Sequence, residues 1–594
     1  MDKKTGMNNT GRSFTDRLNS LSTSFTKSYD HSICAHLAFL IRRNVLRSST
    51  RIAGVFLLTF GIYSGLVAWV ISLFTDLPLE SSAIYGGIIL SVCSIPLILS
   101  PSNISEALLQ SYAGSTVCDY LHIRRETLFE KEHRNRLGAG FVFGVLAGLA
   151  TAIFPFESVV LAIATVIVGG IILCVPEAGV TVSAILLFVA DTDIQYVIIS
   201  ITALSFLFKL IRGKRRIQER KTDLIVTVFL LCSMGAFLFC RGDLYADSLS
   251  FAFLMIPFFL TVYLMRDCRK ATKLLHALVF STGCLCAVYI MAFSISLLAQ
   301  NARISDSAFL LDAINKLPAF ETGFMPLAQA SVIPIAVAFM IKPQSKMSRA
   351  SFILSLVSMT VCLLINGDVP YLACALIITA LLLIITGSRW IYFAICATLF
   401  STVMITFAGS FGERIYNYVY KQIYQVYNST ESISKASQAP ISDEYLLCGS
   451  GFSEAATSGS SFFYSILSAL GIVGFILFSV FILFIIGHAV RIIIKAYTVP
   501  CLSKGMTSYR ELGDRDDIKM GMIASVCSLG VILICCTFCN LYKNELSYLF
   551  FFTICGICSA YARSADNEIS KIQGSLISDC SKEQASVVIG REQN

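Results

Sequence analysis

Over its 594 residues the chain is 55% apolar and only 14% charged, with a mean hydropathy of +0.73. That balance excludes a water-soluble globular protein, whose surface needs far more charge and whose single core stops growing near ~250–300 residues. The net charge of +8 implies no nucleic acid, because the basic residues are scattered over short segments between apolar runs and form no patch.

In chain order, about the first thirty residues are polar, and the first strong apolar run starts only near Ile52. A cleavable signal places its apolar segment near the start, so this stretch reads as a cytoplasmic tail. It includes an amphipathic segment, Ile33 to Val45, with Arg42, Arg43 and Arg47 placed for lipid headgroups. Apolar runs follow at 52–74, 82–99, 137–155, 158–175, 178–190, 193–211, 223–240, 248–265, 273–299, 324–341, 350–366, 369–387, 390–408, 462–488, 519–539 and 545–561. Most are long enough to cross a hydrocarbon layer of roughly 30 Å. They must be helical, because lipid offers no partner for an unpaired backbone N–H or C=O.

The expected fold is therefore an all-α, polytopic integral membrane bundle of about 16 transmembrane helices, with both termini cytoplasmic. Charge placement supports that count. Of the 46 Lys and Arg, only Arg241, Arg303, Lys316, Arg414, Lys421, Lys435 and Lys543 fall on outer segments. Deleting the short run 178–190 would invert every later loop, so it is kept. The expected organisation is a tail (1–51), a two-span unit with a cytoplasmic loop (52–136), a membrane bundle (137–408), a large outer loop (409–461), the C-terminal spans (462–562) and a cytoplasmic tail (563–594).

Little conventional chemistry is visible. The 21 cysteines lie mostly inside apolar runs, where they act as small hydrophobes, and none has zinc spacing. The P-loop, dinucleotide glycine pattern, HExxH motif and nucleophile elbow are all missing. No metal or cofactor is expected. The six histidines all fall on the inner side, with His276 and His488 at inner span ends. Asp368 lies at an outer span start and not at mid-membrane. Span centres carry Ser, Thr, Gly, Asn and Cys in place of charge, which weighs against an ion-driven transporter.

The outer loop 409–461 is the best place for a site. Its run Gly412-Glu413-Arg414-Ile415-Tyr416-Asn417-Tyr418-Val419-Tyr420-Lys421 fits an interfacial helix with a tyrosine belt. Arg414 and Lys421 fall on one helical face, where they could clamp a lipid phosphate or pyrophosphate. Asp443 and Glu444 precede Leu447-Cys448-Gly449-Ser450-Gly451-Phe452. Either is a candidate general base, against the plainer reading of a solvated loop carboxylate.

The outer loop closing on Gly449-Ser450-Gly451-Phe452 and the span opening Ser460-Ser461-Phe462-Phe463-Tyr464, with Gly471-Ile472-Val473-Gly474, resemble the O-antigen ligase and polymerase family of polytopic glycan enzymes. In layout the resemblance covers residues 137–561, and at motif level Gly451–Gly474. The family's loop histidine, asparagine and glutamate would fall on Ser460, Ser461 and Ala469, and its Ser-Arg span opening on Gly367-Asp368. Arg414 is the one plausible match to the family's pyrophosphate-binding arginines. The resemblance implies transfer of a saccharide from a polyprenyl-pyrophosphate carrier at the outer face of the cell membrane, with membrane lipids and the lipid-linked glycan as partners and catalysis open to degeneracy. Two other readings stay in play: a flippase or transporter for a lipid-linked glycan, and a non-catalytic envelope scaffold.

Overall fold

The computed structural model describes residues 44–45, 47–74, 81–100, 102–123, 137–212, 221–238, 253–301, 309–341, 346–387, 447, 449, 461–498, 509–541 and 544–592. The expected span 390–408, the amphipathic segment up to residue 43 and nearly all of the loop 409–461 lie outside the described residues. Described residues form helices and no strands.

The helices, in order, are α1 (Thr50–Phe74), α2 (Ser81–Leu99), α3 (Ile104–Gln110), α4 (Tyr112–Tyr120), α5 (Leu137–Ala150), α6 (Phe156–Cys174), α7 (Pro176–Leu186), α8 (Thr192–Ile211), α9 (Lys221–Leu238) and α10 (Ile256–Leu264). They continue as α11 (Cys268–Asn301), α12 (Phe309–Asn315), α13 (Pro318–Glu321), α14 (Met325–Ile341), α15 (Lys346–Asn366), α16 (Val369–Ile385), α17 (Phe462–Thr498), α18 (Tyr509–Cys535) and α19 (Glu545–Glu592). Among the described residues, eight helices are long and apolar enough to cross a membrane, and shorter apolar helices lie between them. The protein is a helical membrane protein.

The chain divides into two compact units, one of Met1–Gly179 with Ser200–Ile217, the other of Val180–Ile199 with Gln218–Asn594. In the first unit, Gly140, Gly144 and Gly148 recur every fourth residue along one face of α5 and are buried. A Cβ at these positions would overlap Ile52, Thr59 and Tyr63 of α1 in turn. Contacts that ascend together mean α1 and α5 run parallel. Contacts of Gly54 with Ile98 and of Gly61 with Gly87 make α2 antiparallel to α1. Hydrocarbon supplies no hydrophobic drive between helices, so close backbone packing along small residues holds them.

The short run 178–190 appears as the 11-residue helix α7, about 16 Å long and below a full crossing on its own. Ser205 Oγ nevertheless donates to the carbonyls of Ile172 and Leu173, and Lys209 Nζ to that of Cys174. The ends of α6 and α8 thus lie together, and the chain between them leaves and returns.

The second unit is built around α14. Every side chain from Leu327 to Met340 is buried, with α11, α15, α16 and α18 packed around it. A helix apolar on all sides is one that other helices enclose. Phe462, Phe478, Phe481, Phe551 and Tyr548 form an aromatic cluster that joins α17 to α19.

The expected span 462–488 takes a different form. In α17, Gly471 sits at φ 67° and ψ −171°, a region that only glycine occupies freely. The rings of Phe462 and Phe478 lie 5.6 Å apart, whereas sixteen residues of straight helix would separate them by about 24 Å. The chain therefore reverses at Gly471. A short arm, 462–470, folds back on the long arm that starts at Ile472.

Candidate functional site

Arg414, Lys421, Asp443 and Glu444 lie outside the described residues. The segment that follows them does not. Leu447 is exposed and Gly449 takes φ 77°. The Leu447 carbonyl accepts from Val473 N at 3.5 Å. A Cβ on Gly449 would overlap the backbone of Ala469, and one on Gly471 the backbone of Leu447. The two glycine elements selected from the sequence thus meet backbone to backbone at the hairpin tip, and side chains are excluded from both positions.

The base of the short arm is fixed against the end of α18. Phe462 N donates to the carbonyls of Cys536 (3.1 Å) and Cys539 (3.2 Å), and Ser461 Oγ donates to Cys536 O at 3.1 Å. On the other side of this turn stands Tyr371 of α16. Its ring meets Phe538 edge to face at 5.3 Å, and its hydroxyl meets Cys539.

One helical turn before Tyr371 is Asp368, the N-cap of α16. Gly367, at φ 76°, makes the sharp turn from α15 that presents it. Burial pushes the Asp368 carboxyl up to about 6. Beside it, Tyr289 Oη donates to Asn366 Oδ1 at 2.7 Å, and the Tyr289 ring stacks on Phe320 at 4.9 Å.

The same unit holds a buried amide. Gln329 is fully buried on α14, and its Nε2 donates to Cys286 Sγ at 3.3 Å and Cys362 Sγ at 3.2 Å. Its Oε1 has no hydrogen-bond partner among the described residues. An unmatched buried acceptor costs about 1–3 kcal/mol. Its signal in the sequence is a single amide within an apolar run.

At the opposite end of the unit, Arg563 pairs with Asp223, and Tyr263 Oη donates to the other carboxylate oxygen at 2.8 Å. Lys495 Nζ contacts Asp566 Oδ1 at 3.0 Å, and Ser564 Oγ donates to Arg266 O at 2.8 Å. These groups tie the start of α9, the end of α10 and the last turns of α17 to the middle of α19. His276 is a core histidine, edge-on to Phe339 at 4.3 Å. Among the described residues no group of three or more His, Cys, Asp or Glu could hold a metal ion.

Compared with protein-family models and with curated proteins, the chain matches none.

Proposed function

We propose that the protein belongs to cell-envelope glycan assembly, spans the cell membrane about 16 times with both termini cytoplasmic, and handles a polyprenyl-pyrophosphate-linked saccharide at the outer face. The scarcity of Lys and Arg on outer segments supports the orientation.

The observation that carries the functional reading is the junction of Leu447 and Gly449 with Gly471. It anchors the C-terminal end of the 409–461 loop on a helix broken near a membrane boundary. Broken helices survive at membrane depth where they border protein or a cavity, because their freed backbone groups need partners.

In this reading the donor already stores the bond energy, so the protein's tasks are to hold the leaving pyrophosphate and to accept a proton from the attacking hydroxyl. Arg414 and Lys421 hold the pyrophosphate, and Asp443 or Glu444 is a loop carboxylate available to the acceptor. Arg414→Ala tests the clamp. The expected outcome is a protein that inserts normally and makes at least tenfold less glycan product, the equivalent of about 1.4 kcal/mol. Unchanged product would contradict it.

A further inference from the structure

We propose that Asp368, in place of Asp443 or Glu444, is the proton acceptor for the attacking hydroxyl, at the α15–α16 turn of the second unit beside Tyr289, Phe320 and Tyr371. The assignment rests on the reading of a lipid-linked saccharide above, and it names the group and the place within that reading.

Placement is the first argument. Asp368 sits on a turn between two apolar helices, not within either, and the left-handed Gly367 sets its direction. A turn at a span end is where a hydrophilic substrate at the membrane surface meets the protein. The second argument is surroundings. The titratable groups that face it are Tyr289 from α11, Cys362 from α15 and Tyr371 from its own helix, with Cys539 from the end of α18 facing Tyr371. None of these carries a positive charge, so the carboxylate is not neutralised by an ion pair with them. Its partial burial raises its proton affinity toward neutral pH, where a general base is most effective. The third argument is connection. Tyr371 packs on Phe538 and Cys539, and the same turn holds Ser461 and the base of the hairpin. The carboxylate and the hairpin therefore share one rigid support, the end of α18.

Phe320 and Tyr371 are partly exposed and Tyr289 is buried behind Phe320. A pyranose offers a C–H face to an aromatic ring and hydroxyls at its rim. Here the Tyr289–Phe320 stack and the Tyr371–Phe538 pair lie on elements that flank the carboxylate. In the step, the acceptor hydroxyl gives its proton to Asp368 while its oxygen bonds to the anomeric carbon. The bond from that carbon to the pyrophosphate oxygen breaks, and polyprenyl pyrophosphate leaves with the electron pair.

The test uses the full chain in nanodiscs and a synthetic polyprenyl-pyrophosphate-linked disaccharide as both donor and acceptor. Released polyprenyl pyrophosphate is counted from pH 4.5 to 8. The unaltered protein should lose turnover as pH falls through about 6. Asp368→Asn should fall by about 10²–10⁴ and lose that limb, and Asp368→Glu should restore part of the rate. A second readout separates a structural role. A carboxyl whose folded pKa is raised contributes stability that is present at low pH and lost as pH rises to about 6. Asp368→Asn should therefore melt higher than the unaltered protein at pH 8, by a margin that narrows as pH falls to 4.5. Undiminished turnover in Asp368→Asn would overturn this assignment and leave the glycan reading standing. No turnover by the unaltered protein would overturn the glycan reading itself.

Discussion

At the scale of the residue, the most consequential groups are polar side chains that apolar helices have been forced to accommodate. Arg563 and Asp223 are the clearest pair, with side chains 10% and 6% exposed. Removing one partner leaves the other charge buried and unmatched, which costs about 3–5 kcal/mol, whereas replacing both with apolar residues of similar volume is often neutral. Arg563→Met should therefore lower the melting temperature of the detergent-solubilised protein sharply, and Arg563→Met with Asp223→Leu should recover most of the loss. A double variant no better than the single one would remove the pair from the account. This pair was illegible in the sequence. Asp223 and Arg563 stand 340 positions apart, and each looked like an ordinary loop charge beside a span. Asp368 was visible as an outer span start. Its burial depends on Tyr289 and Tyr371, and on helix packing that no local pattern encodes. Gly449 and Gly471 were picked out by a motif, but their mutual contact needed the fold.

At the scale of the element, each of the two units is held together internally by different means. The first relies on glycines that let helix backbones touch. A Cβ at Gly144 would overlap Thr59 and approach Phe56 O at 2.7 Å. Gly144→Leu should force α1 and α5 apart and cost about 1–3 kcal/mol or more, read as a lower melting temperature and a poorer yield of folded protein. Gly138, with open space around its Cβ, is the control position and should tolerate alanine. The second unit depends on enclosure of α14 and on aromatic packing between α17 and α19. Among the described residues the long apolar runs are helical, because they admit no other backbone in lipid, whereas α12 and α13 fall in a segment that the sequence reads as a loop. Helix shape was not legible. The run 462–488 is continuous in hydropathy, and only the positive φ of Gly471 and the return of Phe462 to Phe478 reveal the reversal. The 11 residues of α7 likewise fall short of the full run 178–190 that hydropathy marks as apolar.

At the scale of the whole molecule, the account places one face toward the outside of the cell. In the proposed orientation Asp368, the hairpin tip at Gly471 and Leu447 of the 409–461 loop belong to that face, and the paired charges of Arg563, Asp223, Lys495 and Asp566 to the cytosolic one. The basic-residue distribution argues for this orientation, and nothing in helix packing alone distinguishes the two sides, because packing is indifferent to which face is out. The decisive measurement is the accessibility of a cysteine placed at Leu447, an exposed position at the hairpin tip, with labelling by a membrane-impermeant thiol reagent scored above that of the unaltered chain. The account predicts labelling of Leu447→Cys in intact cells; labelling that appears only after lysis would put the hairpin and Asp368 in the cytosol and contradict it.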